Sequence, residues 1–287
     1  MHIAEGMLSG WQIALTSALA AGPVWLGARA LRATWERGEP GPRAAVSLSA
    51  ALLFALTAFP LPLPWLGVSS HLCAAPMLGI LLGVWPATFL AALVLGIEAL
   101  FLGHGGLTTL GANTLTLGLI GASVARAAWW GMGRVTSPLW AAGLACGLGH
   151  VATYAAAVGI AALALNPQAP AAMAARIGLL IAPMQLPLVV VEGIISALIL
   201  RALARRSASL VPGWCRDALA MGVVVALLCA PAAASAGEAG AFEAAMAGAV
   251  GEPAPVEEGA GSLALIAGMF AAGVAVGRAS ATLERQG

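Results

Sequence analysis

Nine apolar stretches, at about 8–28, 44–66, 71–84, 85–102, 112–130, 139–165, 178–200, 218–234 and 260–278, leave this chain little choice of architecture. A helix needs about 20 apolar residues to cross a bilayer, with about 17 as a floor. Inside hydrocarbon every backbone N–H and C=O must be paired within its own segment, so spans of this kind are helices. Charged residues make up 9% of the chain and apolar ones 61%, against about 25% charged in a soluble domain. The fold class expected is all-α: a polytopic transmembrane bundle of about seven helices plus a C-terminal two-helix hairpin. Its place is a cell membrane, in contact with lipid. A net charge of +1 builds no basic field for nucleic acid. Cys73, Cys146, Cys215 and Cys229 form no CxxC pair, so neither a zinc knuckle nor a disulfide framework is indicated.

The 71–84 stretch is too short to cross alone, and Pro76, Gly79, Gly83 and Pro86 punctuate it. It reads as half-spanning or re-entrant, lining a cavity. Arginines set the orientation. Arg29, Arg32, Arg37 and Arg43 crowd the first loop, and Arg201, Arg205, Arg206 and Arg216 crowd a later one. Both belong inside, which puts the amino terminus outside. The two basic loops agree only if 71–102 crosses an even number of times, giving seven crossings by residue 200. Arg134 then falls inside, and the acidic loop at 235–259 falls outside. A cleaved signal peptide ending near Ala18-Leu19-Ala20 is the rival reading. No Arg or Lys precedes the first apolar run and four arginines follow it, which is the pattern of an uncleaved anchor. Retention of Met1 is also expected, because the residue after it is not small.

The chain begins Met1-His2-Ile3-Ala4-Glu5-Gly6. A histidine second in the chain makes a free terminus a chelator: the α-amine, the His2 backbone nitrogen and the His2 imidazole can close fused rings on one ion. Planar nitrogen coordination suits Ni(II) or Cu(II), with Co(II) possible. His71 and His104 are candidates for a fourth nitrogen, while His150, alone in an apolar stretch, reads as a packing residue. Scattered methionines without an MxxM array weaken a copper reading. Ser70 precedes His71 and can hydrogen-bond near it. The glycine-rich block 103–113, with His104 and Asn113, reads either as a pocket-lining loop or as an ordinary tight connection. Glu98 and Glu192 lie deep in apolar segments, where a carboxylate is costly; structural roles are favoured for both. No Walker A motif occurs in the sequence, so a primary pump would need partner chains for ATP hydrolysis.

Four blocks in order, Met1-His2-Ile3-x-Glu5-Gly6, Ser70-His71-Leu72, the run from Gly103 to Asn113, and Gln185-Leu186-Pro187 with Glu192-Gly193, resemble the CbiM/NikM family. The family comprises substrate-specific components of energy-coupling factor (ECF) transporters for cobalt and nickel. The resemblance covers about residues 1–206. The closing segment, 207–287, looks like the small CbiN/NikN component, two helices around an outer loop, and this match rests on topology more than on motif. The resemblance implies a metal site on Met1, His2 and His71, with Glu5, Ser70, His104 and Asn113 around it. It also implies an ECF transmembrane coupling protein and ABC-type ATPase subunits as partners, the bacterial inner membrane as location, and no enzymatic activity. Ni(II) or Co(II) is then the transported substrate. Cys73, two residues past His71, and Glu98, where glutamine is frequent, depart from the pattern. The rival functions are a stand-alone ion-coupled metal carrier, with Glu98 and Glu192 as coupling sites, and a membrane enzyme. The enzyme reading lacks a nucleophile–base pair or an H-E-x-x-H motif.

Overall fold

The computed structural model describes residues 2–38, 40–59, 61–63, 68–133 and 135–206. Met1 and the expected C-terminal hairpin, 207–287, lie outside the described residues. The elements are α1 (Gly10–Glu36), α2 (Pro40–Thr57), β1 (Leu61–Leu63), β2 (Val68–Ser70), α3 (Ala75–Leu81), α4 (Val84–Phe101), α5 (Leu110–Asn113), a π-helical stretch (Thr114–Gly121), α6 (Ala122–Met132), α7 (Pro138–Leu165) and α8 (Pro170–Arg206). Among the described residues, Gly10–Glu36, Val84–Phe101, Pro138–Leu165 and Pro170–Ala204 are long and apolar enough to cross a membrane. The 110–132 path is helical throughout, but its middle is π-wound.

Local chemistry explains the helix starts. Gln12 Oε1 accepts the Ser9 backbone N–H at 2.8 Å, so the first turn of α1 is closed by a reciprocal cap. Ser137 precedes Pro138 at the start of α7, where a missing N–H costs nothing. Pro23 in α1 and Pro183 and Pro187 in α8 lie inside continuous helices, a pattern membrane helices tolerate.

Close contacts fix the direction of each helix. Ring centroids of His2 and His104 lie 4.5 Å apart, so the start of α1 and the end of α4 share one end of the bundle. A Cβ on Gly27, late in α1, would meet the Trp85 backbone at the start of α4. The two helices are therefore antiparallel. A Cβ on Gly111 would lie 2.6 Å from Ser17 Cα, and one on Gly79 would lie 2.8 Å from Ala122 Cα. The 110–132 path thus runs from the histidine end to the opposite one. Helix α7 returns, placing Ile160 and Ala164 against Ile3 and Leu8, and α8 descends, its Gly193 abutting Gly143 of α7 (a Cβ would lie 2.7 Å from the Gly143 carbonyl oxygen). The end of α1, the start of α2 and the end of α8 are thus at the end of the bundle away from the histidines. Small residues at these crossings let backbones approach closely, the usual device where lipid is as apolar as the side chains. The faces left outward carry Trp11, Leu19, Leu100, Phe101, Trp130, Trp140 and Leu179.

One expectation changes and another gains detail. The apolar stretch 44–66 is not one span: α2 stops at Thr57 and the chain enters a hairpin pairing Leu61 with Ser70, Pro62 with Ser69 and Leu63 with Val68. Alternating Leu and Pro at 61–64 removes the donors a helix needs. The 71–84 stretch is a seven-residue buried helix with a non-helical lead-in, about 10 Å long at 1.5 Å per residue. It cannot cross alone; with the preceding extended residues it takes the chain down to Gly83, from which α4 climbs back.

Candidate metal centre

The amino-terminal tip folds into the bundle and is held there by its backbone. Asn113 Oδ1 accepts the Ile3 N–H at 2.8 Å, and Asn113 Nδ2 donates to the Ile3 carbonyl at 3.0 Å. Thr109 Oγ1 donates to the same carbonyl at 2.7 Å. One amide thus mimics a neighbouring strand and satisfies both polar groups of a buried residue. The Ile3 side chain, 1% exposed, packs with Leu8 and Ala112, a burial worth about 1.5–3 kcal/mol. Glu5 anchors the next stretch: its carboxylate accepts the Thr108 N–H at 3.2 Å and a short hydrogen bond from the Thr108 hydroxyl.

The glycines of the 103–113 block make this approach possible. Gly103 and Gly105 take φ of +62° and +83°, which suit glycine. A Cβ on Gly106 would lie 2.8 Å from Glu5 Cα, so no side chain fits. The block packs directly against the amino-terminal tip, at His2 and Glu5.

Three imidazoles converge beneath the tip. His2 stacks on His71 with centroids 4.6 Å apart and planes 22° apart. His104 stands edge-on to both, at 4.5 Å and 5.3 Å. One ligand atom from each of the three lies within 4.8 Å of the others. Two nitrogens on one ion sit at most about 4.2 Å apart, given metal–nitrogen distances of about 2.0–2.1 Å. Small side-chain rotations would therefore bring all three onto one cation. Burial lowers the pKa of His2, with the neighbouring His104 and His71 adding to the effect, and it lowers His104 to about 4. A neutral imidazole offers a ring nitrogen to a cation, and burial disfavours the protonated form of His2 and His104.

His2 and His71 meet as their sequence context implied. His104, placed among the surrounding residues by sequence, contributes a third imidazole at the same distance. Glu5 and Asn113 hold the tip. Ser70 does not face the tip; its hydroxyl pairs with the Tyr154 hydroxyl at 3.1 Å and accepts from Gln185 Nε2 at 3.0 Å. Glu98 is fully buried beside the cluster: Thr57 Oγ1 donates to its Oε1 at 2.5 Å, and its Oε2 lies 3.7 Å from His2 Nε2. His150 is packed, as expected, but not solely by apolar neighbours, since its Nε2 lies 3.0 Å from Gln185 Oε1. Sequence reading gave no role to Thr108, Thr109, Thr57, Tyr154 or Gln185. Thr108 and Thr109 lie in the 103–113 block and Gln185 opens another block that carries the resemblance, whereas Thr57 and Tyr154 offered only a polar atom within an apolar chain.

Comparison with known proteins identifies the family. The family CbiM, described as "Cobalt uptake substrate-specific transmembrane region", matches residues 2–210. A cobalt transport protein CbiM of Sorangium cellulosum is 37% identical over 200 residues, covering 69% of this chain and 88% of that protein. One from Acetohalobium arabaticum is 34% identical over 215 residues, covering 72% and 83%. A solved structure of a truncated transition metal transporter superposes with a TM-score of 0.61 at 23% identity, covering 71% of this chain and 99% of that one; at that identity it speaks for the fold. The chain belongs to the CbiM family: it is a multi-pass metal-uptake component of the bacterial inner membrane, and not an enzyme.

Proposed function

We propose that this protein captures a divalent transition metal at its folded-in amino terminus for uptake into the cell. The convergence of His2, His71 and His104, with ligand atoms within 4.8 Å, carries this reading. The terminal amine and the His2 backbone nitrogen add the remaining donors, and Met1 is the residue that supplies the amine. The relatives are named as cobalt transport proteins, so Co(II) is the first substrate to test. Ni(II) fits the same nitrogen set, and affinity order places it above cobalt.

The absence of a nucleotide motif in the sequence supports a division of labour. An ECF coupling protein and ABC-type ATPases supply the energy, and this chain supplies selectivity. Residues 207–287 act as a CbiN/NikN-like hairpin that favours loading; the apolar stretches 218–234 and 260–278 around an acidic loop support this. The test is reconstitution with and without those partners. Cobalt uptake that needs both ATP and partner chains bears the reading out. Uptake by this chain alone on an ion gradient would replace it with the stand-alone carrier.

A further inference from the structure

Behind the histidine cluster lies a second polar group, buried between the His71 segment, α7 and α8. Glu192, on α8, is 1% exposed. Its Oε2 accepts the Cys73 N–H at 2.8 Å and its Oε1 accepts the Ala74 N–H at 2.9 Å. Two successive N–H groups on one carboxylate make a small anion-binding nest. The backbone there is bent hard. Ala74 takes φ +52° and ψ −30°, and the Ala75 N–H reaches back to the Cys73 carbonyl at 2.5 Å. An i→i+2 bond around a residue of positive φ is the rare, strained hand of γ-turn. Such a turn persists at an alanine only where its surroundings over-determine it, and here Glu192 supplies that hold.

What precedes the turn gives it meaning. The Cys73 N–H and the Leu72 carbonyl belong to one planar peptide unit. His71 Nδ1 lies 3.0 Å from the Leu72 oxygen. A carbonyl only accepts, so Nδ1 carries the proton and Nε2 keeps the lone pair. A continuous line therefore runs from Glu192 Oε2 through the Leu72–Cys73 peptide to His71 Nδ1, and hydrogen bonds in series polarise one another. Helix α8 also grips the other flank of His71, through the 3.0 Å bond from Gln185 Nε2 to Ser70 Oγ. His150 Nδ1 stands 3.6 Å from Glu192 Oε2, and His150 Nε2 meets Gln185, so the two grips are braced against each other.

We propose that Glu192 is a positioning residue of the metal centre: by holding the Leu72–Cys73 peptide it fixes the tautomer and ring orientation of His71. This rests on His71 being a ligand. Without Glu192 the γ-turn relaxes, the Leu72 carbonyl turns, and the His71 Nε2 lone pair leaves the plane of the other nitrogens.

The test is a double-mutant cycle on the full chain in detergent, titrated with Co(II) and read by affinity, visible ligand-field spectrum and thermal melt. In E192Q one acceptor oxygen is replaced by an NH2 facing a backbone N–H. Affinity should fall about tenfold or more, the usual loss when a partner of a ligand histidine is removed, and the spectrum should shift. In an H71A background the same change should have little further effect, because residues acting through one another do not add. E192D keeps both oxygens on a shorter stem; its loss should be smaller and also vanish with His71, which keeps the test alive if E192Q does not fold. Wild-type affinity and spectrum in E192Q and E192D, beside a weakened H71A, would overturn the positioning role alone. So would an equal loss with and without His71. An H71A protein that binds Co(II) like wild type would overturn the metal centre itself, and this role with it.

Discussion

Single residues decide this site because each performs one irreplaceable task. Replacing His2 or His71 with alanine should abolish metal uptake while membrane insertion stays normal. Labelled-metal uptake, beside the amount of protein in the membrane fraction, checks this, and normal uptake by H2A would dismiss the centre. Asn113 holds both backbone groups of Ile3. In N113A the buried Ile3 N–H loses its partner, at about 1–3 kcal/mol, so affinity should drop roughly tenfold or more with all ligands present, about 1.4 kcal/mol per decade. Isothermal titration would show it. Gly106 is the steric counterpart: a methyl there would press on the Glu5 backbone. G106A should push the tip out and weaken binding, although no donor is touched. A G106A protein with wild-type affinity would mean that the tip does not need this fit.

At the scale of elements, crossings between helices are set where side chains are missing. Gly143 of α7 and Gly193 of α8 abut, leaving no room for a Cβ on Gly193. G193V should lower the melting temperature in detergent, at a cost of about 1–3 kcal/mol for overpacking. It should also disturb binding, since Gly193 follows the residue that holds the His71 turn. Melting unchanged from wild type would show that α7 and α8 can part without loss. The elements also reveal how far sequence reading reached. Long apolar runs gave α4 and α7 nearly whole and the apolar middles of α1 and α8, because the apolar length of a span depends on bilayer thickness, while α1 and α8 run on into polar ends. It missed the end of α2 and the β-hairpin, because an apolar run does not show where helix gives way to another paired backbone.

Across the described residues, the up-and-down path of the helices places the histidines at one end and the ends of α1 and α8 at the other. Expected orientation then follows from charge. The described cysteines, Cys73 and Cys146, are buried. Single cysteines introduced at exposed Ser9 and Thr136 should therefore label from opposite sides with a membrane-impermeant thiol reagent, Ser9→Cys from outside. Labelling of both from one side would break the topology. Metal capture should also depend on pH with a definite sign. A proton and a metal compete for the same lone pair, so lowering pH weakens binding. Burial holds His104 down to about 4, and it lowers His2 as well. The rings stay available through mild acid. An ordinary α-amine titrates at about 7.7–8.0, so affinity should fall at least about tenfold per pH unit between about pH 7 and 5, one proton's worth. Equilibrium titrations across that range measure the slope, and a flat profile would remove the amine from the ligand set.

The sequence alone determined that the chain crosses the membrane repeatedly, the end at which positive charge gathers, and the chelating character of a terminus with histidine second. Each of these depends on neighbours along the chain: apolar length, local charge, and donors a few bonds apart. Only the tertiary structure decided that the rings of His2, His71 and His104 come together, that Asn113 grips Ile3, and that a glutamate on α8 holds the turn after His71. Those contacts join stretches far apart in the chain. They depend on helix direction and on glycine-permitted close approach, which no local pattern encodes.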